Sequence, residues 1–296
     1  ATPYALLLQT VGSELRPSFV RLLEPGEGYT GGEAFFEAHH VEGPNPPLAY
    51  VPDDESDEIA NAPTQPPTGL QNAMAFFLVA AAAQGIADPN AARAGQNFLC
   101  HTSQLRNQHR ILERMIREHL DRLGEDLENG RPAALHALEQ ARAELAKTLE
   151  EVPAVDAIVE YLNARLGGRK IVVVNAEADA QPGKSLNFIV GGNILGRGVT
   201  IENLLVTYYL REPKTGQMDT MLQHARMYGY RAKIMPWTRV YLPEVLAYRF
   251  HEIHEIERRL RRQLVHADMG RPIAVEKAPN LNPTRRAVLD PSYIDA

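Results

Sequence analysis

The chain has 296 residues, of which 44% are hydrophobic and 23% are charged, and its formal net charge is −6. This length suffices for one large hydrophobic core or two small ones, and the acidic balance excludes a basic surface over the whole molecule, so nucleic acid would have to be contacted through a local patch. The single cysteine, Cys100, excludes an internal disulfide and a CxxC zinc site, and we expect it to be a small core residue of an intracellular protein.

The first third of the chain predicts one strand, a long loop and one helix. Residues 19–23 are expected to form the first strand, and the proline-rich residues 25–68 an irregular loop. Within that loop, the acidic run at 53–58 predicts a solvated segment rather than a metal site. The apolar residues 73–83 are too few to span a bilayer, which needs about 20, and predict a packed helix over 70–84. No signal peptide is visible.

Strands and helices alternate in the rest of the chain. Strands are predicted at residues 98–101, 170–175, 188–190, 204–210 and 239–242. Helices are predicted after a cap at Ser103, with Leu105, Leu112, Ile116 and Leu120 on one face, and over residues 132–149, 155–166 and 243–264. This alternation favours a mainly parallel α/β sheet flanked by helices.

Residues 178–185, ADAQPGKS, fit a loose Walker A pattern that includes Lys184. A phosphate-binding loop of that kind must open a helix, whereas the residues at 186–190 predict another strand. We therefore expect the match to be a coincidence. The alternative is an independent P-loop ATPase that depends on Lys184.

Residues 191–201, GGNILGRGVTI, combine four glycines with the start of an apolar strand. Gly191, Gly192, Gly196 and Gly198 allow the backbone N–H groups to approach a ligand closely, so this loop can hold phosphate. The following apolar residues, 201–210, are typical of a strand that is buried on both faces of a parallel sheet.

Residues 223–231, QHARMYGYR, predict a helix end that carries two arginines. Asp219 is expected to cap a helix over 220–228, and Gly229 to end it. Arg226 and Arg231 would then lie in the crevice where open α/β sheets bind ligands. A guanidinium there can stabilise a transferring γ-phosphoryl group, worth about 10³ to 10⁵ in rate, or it can form a structural ion pair. The glycine loop directly upstream favours the catalytic interpretation.

The last predicted helix carries two patterns of charged and histidine residues. His251, His254 and Glu255 do not have the spacing of a zinc helix and predict a solvated face. The basic run Arg258, Arg259, Arg261 and Arg262 could contact nucleic-acid phosphate or form intrahelical ion pairs with nearby glutamates. The sequence leaves both interpretations of this run open.

The pattern GGNxLxRGxT followed by QxxRxxGYR resembles the Z-one domain family, which is associated with superfamily-two helicase regions and carries an endonuclease label. The two segments are similar to helicase motifs V and VI. Further similar blocks are Ala1-Thr2-Pro3 at the motif III position, residues 22–36, and residues 98–103 at the motif IV position. The common motif VI, QxxGRxGR, has arginines three apart, whereas Arg226 and Arg231 are five apart, so either could be the arginine finger.

The resemblance implies a RecA-like, P-loop-NTPase-type second helicase lobe, with a mainly parallel sheet, flanking helices, and helical and loop insertions. Residues 1–266 are expected to form this lobe with an insertion at about 26–96, and residues 267–296 a C-terminal extension. The chain is then expected to be a fragment that lacks the N-terminal lobe, which would bind ATP and Mg²⁺, and to be inactive alone.

The same resemblance implies the site residues, which fall into three groups. Catalytic roles are expected for Arg226, Arg231 and Gln223, nucleotide binding for Gly192, Asn193, Gly196, Arg197 and Gly198, and nucleic-acid binding for His101, Thr102, Ser103, Asn175 and Thr200. No metal ligand is expected in this chain.

The function implied is that of a cytoplasmic DNA helicase or translocase in restriction or phage defence. Its partners would be DNA, the N-terminal lobe of the same polypeptide and restriction or defence proteins, without a membrane. The alternatives are a non-catalytic nucleic-acid or protein binding module and an endonuclease-associated domain. The sequence lacks the convergent carboxylates that a two-metal nuclease requires.

Overall fold

The strands of the molecule form one large parallel sheet and one small antiparallel sheet. The computed structural model describes residues 18–37, 45–61, 63–102, 105–174, 183–192, 201–211 and 218–265. The strands in these residues are β1 (Tyr29–Thr30), β2 (Leu48–Val51), β3 (Gln96–His101), β4 (Lys170–Val174), β5 (Leu186–Gly191), β6 (Leu204–Tyr209), β7 (Gly229–Tyr230) and β8 (Arg239–Pro243).

The large sheet has six strands in the order β2-β8-β6-β3-β5-β4, and all of its neighbouring strands are parallel. The fold is therefore a mixed α/β fold with a parallel sheet, as the alternation of strands and helices predicted. β1 and β7 form the small antiparallel sheet, although they are about 200 residues apart in the chain.

Helices cover both faces of the large sheet. They are α1 (Glu55–Ala60), α2 (Thr68–Ala87), α3 (Pro89–Ala94), α4 (Arg106–Glu128), α5 (Pro132–Leu145), α6 (Val155–Arg165), α7 (Met218–His224) and α8 (Glu244–Val265). α2, α4, α5 and α6 pack on one face, which Phe98, Phe188 and Tyr208 line. α7 and α8 pack on the other face with Tyr209, Val240 and Leu242.

Helix α2 is the central helix of the first face. By length and composition it could cross a membrane, but 78% of its most apolar window is buried within the domain. A helix that is hydrophobic on all sides is expected to be buried in this way in the core of a globular protein. The helix predicted at residues 70–84 is thus confirmed.

A buried carboxylate holds the beginning of α2. The backbone N–H of Gly69 donates a hydrogen bond to Glu55 Oε1, and the hydroxyl of Tyr208 donates to Glu55 Oε2. Burial raises the pKa of Glu55. The prediction of a solvated loop is therefore wrong for Glu55, although Asp53 and Asp57 are exposed.

A network of amide side chains joins the amino ends of the central strands. Asn187 in β5 donates from Nδ2 to Asn97 Oδ1 at 3.0 Å and to the carbonyl oxygen of Gly183 at 2.8 Å. Gln96 in β3 donates to Gln84 Oε1 of α2 at 2.9 Å, and Gln84 donates to Asn203 Oδ1 at 2.8 Å. These bonds satisfy amides that are buried among apolar side chains.

Most predicted elements are present, but three differ in position or type. Residues 19–23 form no strand, because the edge of the sheet is formed instead by β2, inside the segment predicted to be an irregular loop. α4 begins at Arg106 with Leu105 at its N-cap, and Leu105 is exposed, whereas the predicted cap Ser103 lies outside the described residues. The proposed boundaries of the lobe and its insertion stay a prediction.

The third difference concerns the helix that was predicted to carry the motif VI arginines. α7 ends at His224, so Asp219 lies inside this helix rather than at its cap. The chain then turns through Arg226, whose N–H donates to the carbonyl oxygen of His224 at 2.7 Å, and enters β7. Gly229 has a φ of +145°, a conformation that favours glycine and directs the chain into β7 rather than into a longer helix.

Candidate functional site

The carboxyl edge of the sheet brings three distant segments of the chain together. β3 ends at His101, which pairs with Tyr209 at the end of β6. Cys100 of β3 pairs with Val190 of β5, so Gly192, directly after β5, lies at the same edge. The carboxyl ends of parallel strands are where open α/β folds bind ligands. Three segments singled out in the sequence therefore end at one edge.

A buried polar cluster, formed by His101, Tyr209, Arg211 and His224, occupies this edge. Arg211 Nη1 donates a hydrogen bond to His101 Nε2 at 3.1 Å, and the hydroxyl of Tyr209 lies 3.1 Å from His224 Nδ1. The two imidazole rings are 4.7 Å apart between centroids, in an edge-to-face arrangement. We call these four residues the histidine cluster.

The histidine cluster has a basic environment in which both imidazoles are neutral. Burial is the main cause that lowers the pKa of His101 well below its usual value, and His224, Arg211, His109 and Arg226 lower it further. Burial, followed by Arg211 and Arg226, lowers the pKa of His224 to about 3. A positive potential of this kind favours an anion over a cation at the edge.

The hydrogen bond from Arg211 fixes the tautomer of His101. Because a guanidinium can only donate, Nε2 of His101 must accept, and the ring proton lies on Nδ1. Nδ1 is buried, as is Oγ1 of the adjacent Thr102, and neither makes a hydrogen bond in the part of the chain that the structure describes. Burial of a polar atom without a hydrogen-bond partner costs free energy, and such atoms are frequent at functional sites.

Arg226 lies in the turn between α7 and β7, next to the histidine cluster. Its side chain is half-buried, and burial lowers the pKa of its guanidinium. Its backbone N–H donates to the carbonyl oxygen of His224, whose ring centroid is 4.7 Å from that of His101, and Arg226 lowers the pKa of both imidazoles. Arg226 therefore sits at the carboxyl edge, where the sequence placed it, but on a turn rather than on a helix.

The guanidinium of Arg231 is bound to backbone carbonyls. Nη2 donates to the carbonyl oxygen of Ile201 at 2.9 Å and to that of Arg226 at 3.1 Å, and Nε donates to that of Tyr228 at 3.4 Å. The side chain is buried, which lowers its pKa. Arg231 thus links the segment after the glycine loop to the turn that carries Arg226.

The other predicted site residues divide into described and undescribed positions. Gly192 is buried at the end of β5, and Gln223 is half-buried in α7. Asn193, Gly196, Arg197, Gly198, Ser103, Asn175 and Thr200 lie outside the described residues. Among the predicted residues that are described, the fold thus brings His101, Thr102, Gly192 and Arg226 to one edge.

Lys184 lies at the opposite edge of the sheet. It stands two residues before the beginning of β5, at the amino ends of the strands, and β5 follows it without a helix. Because a phosphate-binding loop must lie between the end of a strand and the start of a helix, the Walker-like match is a coincidence, as predicted.

Some of the histidine and arginine side chains of α8 take part in packing or in ion pairs. His251 Nδ1 donates to the carbonyl oxygen of Phe36 at 2.8 Å, so the predicted solvated face is wrong for His251. Arg258 pairs with Glu37 at 2.5 Å and with Glu255 at 3.0 Å, and Arg259 Nη1 is 3.9 Å from Glu255. Arg261 and Arg262 are exposed.

Three residues of the histidine cluster were not singled out in the sequence. Tyr209 is the last residue of β6, Arg211 stands two residues after it, and His224 stands between Gln223 and Arg226. Two sequence features could have predicted them. One is an arginine near the end of a strand, and the other is a histidine inside the arginine motif. Within the described segments, no three His, Cys, Asp or Glu side chains are grouped to hold a metal ion.

The fold and this edge define a parallel α/β domain whose candidate site lies at the carboxyl ends of its central strands. Residues 69–284, more than half of the chain, match the Z1 domain. The chain belongs to the Z1 domain family. The match includes residues 98–103 and both glycine and arginine segments, whereas the block at 22–36 lies outside it. No curated protein and no solved structure matches the chain.

Proposed function

We propose that this chain is the second, RecA-like motor lobe of a superfamily-two helicase or translocase that acts on DNA. The observation that carries the proposal is the direct contact between the motif V-like and motif VI-like segments, because Arg231 binds the carbonyl oxygens of both Ile201 and Arg226. The parallel sheet and the membership of the Z1 domain family support it.

In this proposal the two motif arginines have different roles. Arg226 is half-buried on a turn next to the basic edge, so it is the better candidate for an arginine finger that approaches a γ-phosphate from across the cleft between lobes. Arg231 is a positioning residue, because its guanidinium already donates to three carbonyls. Gln223, half-buried three residues before Arg226, is assigned to the same catalytic group.

The remaining residues of the edge are assigned to ligand contacts. Gly192 begins the loop that would approach the nucleotide, and Thr102 and His101 lie where a sugar-phosphate backbone could be held without sequence readout. The predicted contacts through Asn193, Gly196, Arg197, Gly198, Ser103, Asn175 and Thr200 belong to this proposal as well.

ATP with Mg²⁺, held mainly by the N-terminal lobe, would supply the phosphoryl group whose transfer drives motion. This chain fits the opposite side of such a site, because the charged groups that act on His101 are all basic. Its described residues offer cations rather than a metal-binding cluster. Closing of the two lobes would bring Arg226 to the phosphate, and opening would withdraw it.

The test is DNA-stimulated ATP turnover by the full-length polypeptide and by this chain alone. Arg226→Ala should lower turnover by about 10³-fold or more, because it removes a charge that acts in the transition state. Arg231→Ala should lower both turnover and the free energy of unfolding. The control Lys184→Ala should leave turnover unchanged.

Other outcomes would favour other functions. Normal turnover in a variant with both Arg226→Ala and Arg231→Ala would refute the motor proposal. Tight DNA binding without ATP turnover by the full-length protein would favour a non-catalytic binding module. We also propose a cytoplasmic location and a role in restriction or phage defence. The first is supported by the buried free thiol of Cys100 and the second only by the family resemblance.

A further inference from the structure

Two tyrosines form an exposed aromatic pair on the small sheet. Tyr29 of β1 and Tyr230 of β7 lie opposite each other in the register, and their rings are 5.7 Å apart between centroids at an angle of 76°. Tyr230 is 74% exposed and Tyr29 is 43% exposed. Two exposed aromatic rings in contact offer a flat apolar surface on which a planar ligand can stack. We call this pair the tyrosine platform.

The backbone beneath the tyrosine platform is held by hydrogen bonds and close packing. Thr30 Oγ1 donates to the carbonyl oxygen of Gly229 at 3.0 Å. The N–H of Ala232 donates to the carbonyl oxygen of Gly28 at 3.2 Å. A Cβ at Gly26 would lie 2.8 Å from Tyr230 Oη, so the ring of Tyr230 lies against the chain at Gly26. The exposed rings are therefore preorganised for binding.

The tyrosine platform lies between the motif VI turn and the basic end of α8. Tyr230 directly precedes Arg231, which binds the carbonyl oxygen of Arg226. A Cβ at Gly32, two residues after β1, would lie 2.5 Å from His254 Nδ1, so β1 packs against the helix that carries Arg261. Burial and Glu257 raise the pKa of Tyr29, and Arg261 lowers it. Arg261 and Arg262 are exposed, whereas Glu257 is half-buried. The solvent side of this region thus combines aromatic rings with arginines.

We propose that the tyrosine platform stacks bases of single-stranded nucleic acid while Arg261 and Arg262 contact its phosphates. Exposed aromatic rings beside basic side chains are how proteins hold single strands without reading their sequence, because every base has a stacking face. The duplex offers no unstacked base to such rings. The choice of nucleic acid as the partner rests on the proposed function, whereas the platform itself rests on the exposure and geometry of the two tyrosines.

The experiment measures the affinity of this chain, without ATP, for a fluorescent single-stranded DNA of about 15 nucleotides by anisotropy. Tyr230→Ala should weaken binding by about 5- to 150-fold, the range expected for the loss of one stacked base. Tyr230→Trp should retain binding, because stacking requires a ring and not the hydroxyl. Tyr248→Ala is the matched control, since Tyr248 is a 44% exposed tyrosine on α8, and it should leave affinity unchanged.

Two further measurements distinguish the contribution of base stacking from that of charge. An abasic strand keeps the phosphates but loses the bases, so it should bind weakly, and Tyr230→Ala should not weaken it further. Arg261→Gln should reduce the slope of log affinity against log salt by about 0.7, the value for one phosphate contact on a single strand. Both results would support the assignment.

The proposal is overturned if Tyr230→Ala binds the single strand as tightly as the unchanged chain, or if the abasic strand binds equally well. It is also overturned if Tyr230→Ala weakens only the association with the N-terminal lobe, because the platform would then be a protein contact. A failure of the platform is distinguishable from a failure of the motor proposal, because the latter is tested by ATP turnover in Arg226→Ala, which keeps both tyrosines.

Discussion

Arg239 and Arg231 are both buried arginines, and each joins two parts of the chain. Arg239 in β8 is 0% exposed, its Nε lies 3.2 Å from Glu144 Oε1, and its guanidinium is 4.8 Å from the ring centroid of Phe76. Nη2 also donates to the carbonyl oxygen of Glu144 at 2.9 Å. Arg239 therefore holds the end of α5 against the sheet, as Arg231 holds the glycine segment against the motif VI turn.

Removing Arg239 should be among the most destabilising changes outside the apolar core. Arg239→Ala should lower the free energy of unfolding by about 3–5 kcal/mol, because it leaves Glu144 without its buried partner and opens a cavity beside Phe76. Arg117→Ala, which breaks an exposed pair with Glu113, should cost about 0.5 kcal/mol or less. Urea unfolding measures both, and equal losses would contradict this account.

At the scale of single elements, α2 shows how a helix is fixed by its first turn. Gly69 lies so close to its surroundings that an added Cβ would be 2.5 Å from Glu55 Oε2 and 2.5 Å from Val51 Cγ1. The close approach allows Glu55 to accept the N–H of Gly69 while it also binds Tyr208. Glycine is present here because of packing, and not because of a special backbone angle.

Two glycine-to-alanine changes in helices should therefore have opposite effects. Gly69→Ala should lower the free energy of unfolding by about 1–3 kcal/mol, because its methyl group overpacks the Glu55 contact. In Gly124→Ala of α4, the new Cβ would meet only Leu166 Cδ2 at an ordinary 3.6 Å, so the change should stabilise by about 0.5–1 kcal/mol through helix propensity. Thermal unfolding of both variants measures these changes. A Gly69→Ala variant that is more stable than the unchanged chain would refute the packing argument.

These elements also show which features the sequence could predict. The parallel sheet and α2 follow from apolar runs, because burial on both faces leaves a continuous hydrophobic pattern. β2 lies in a proline-rich segment and has only four residues, so its pairing with β8 depends on long-range contacts that no local pattern encodes. The short α7 ends early because β7 pairs with β1, which is distant in the chain.

The candidate site was predictable in part, because the carboxyl ends of parallel strands meet at one edge of the sheet. His101 ends a strand, and Thr102 and Gly192 each follow one directly, so parallel pairing alone brings them to one edge. The difference between Arg226 and Arg231 was not predictable, because it depends on which guanidinium meets the carbonyl oxygen of Ile201. The tyrosine platform joins residues about 200 positions apart, and its pairing leaves no trace in either segment alone.

At the scale of the whole molecule, the two edges of the sheet have different chemistry. The amino edge holds neutral amides that satisfy one another, such as Asn187, Asn97 and Gln96. The carboxyl edge holds arginines, imidazoles and buried donors without a hydrogen-bond acceptor among the described residues, at His101 and Thr102. A satisfied network fixes the fold, whereas incompletely satisfied groups mark a place for a ligand. We therefore expect stability and binding to respond separately to changes at the two edges.

Asn187→Ala tests this separation at the amino edge. Its Nδ2 donates to Asn97 Oδ1 and to the carbonyl oxygens of Gly183 and Ser185, so the change should lower the free energy of unfolding by about 2–4 kcal/mol. Asn187 is four residues of β5 from the carboxyl edge, about 13 Å at 3.3 Å per residue, so single-stranded DNA affinity at low temperature should be unchanged.

Asn163→Ala, at an exposed position of α6, is the control for Asn187→Ala and should change the free energy of unfolding by about 0.5 kcal/mol at most. The paired measurement is urea unfolding and DNA anisotropy on the same preparations. If Asn187→Ala weakened DNA binding while the chain remained folded, the two edges would be coupled through the strands that connect them. The amide network would then control the positions of His101 and Gly192, and the carboxyl edge could not be treated as a site that the fold merely supports.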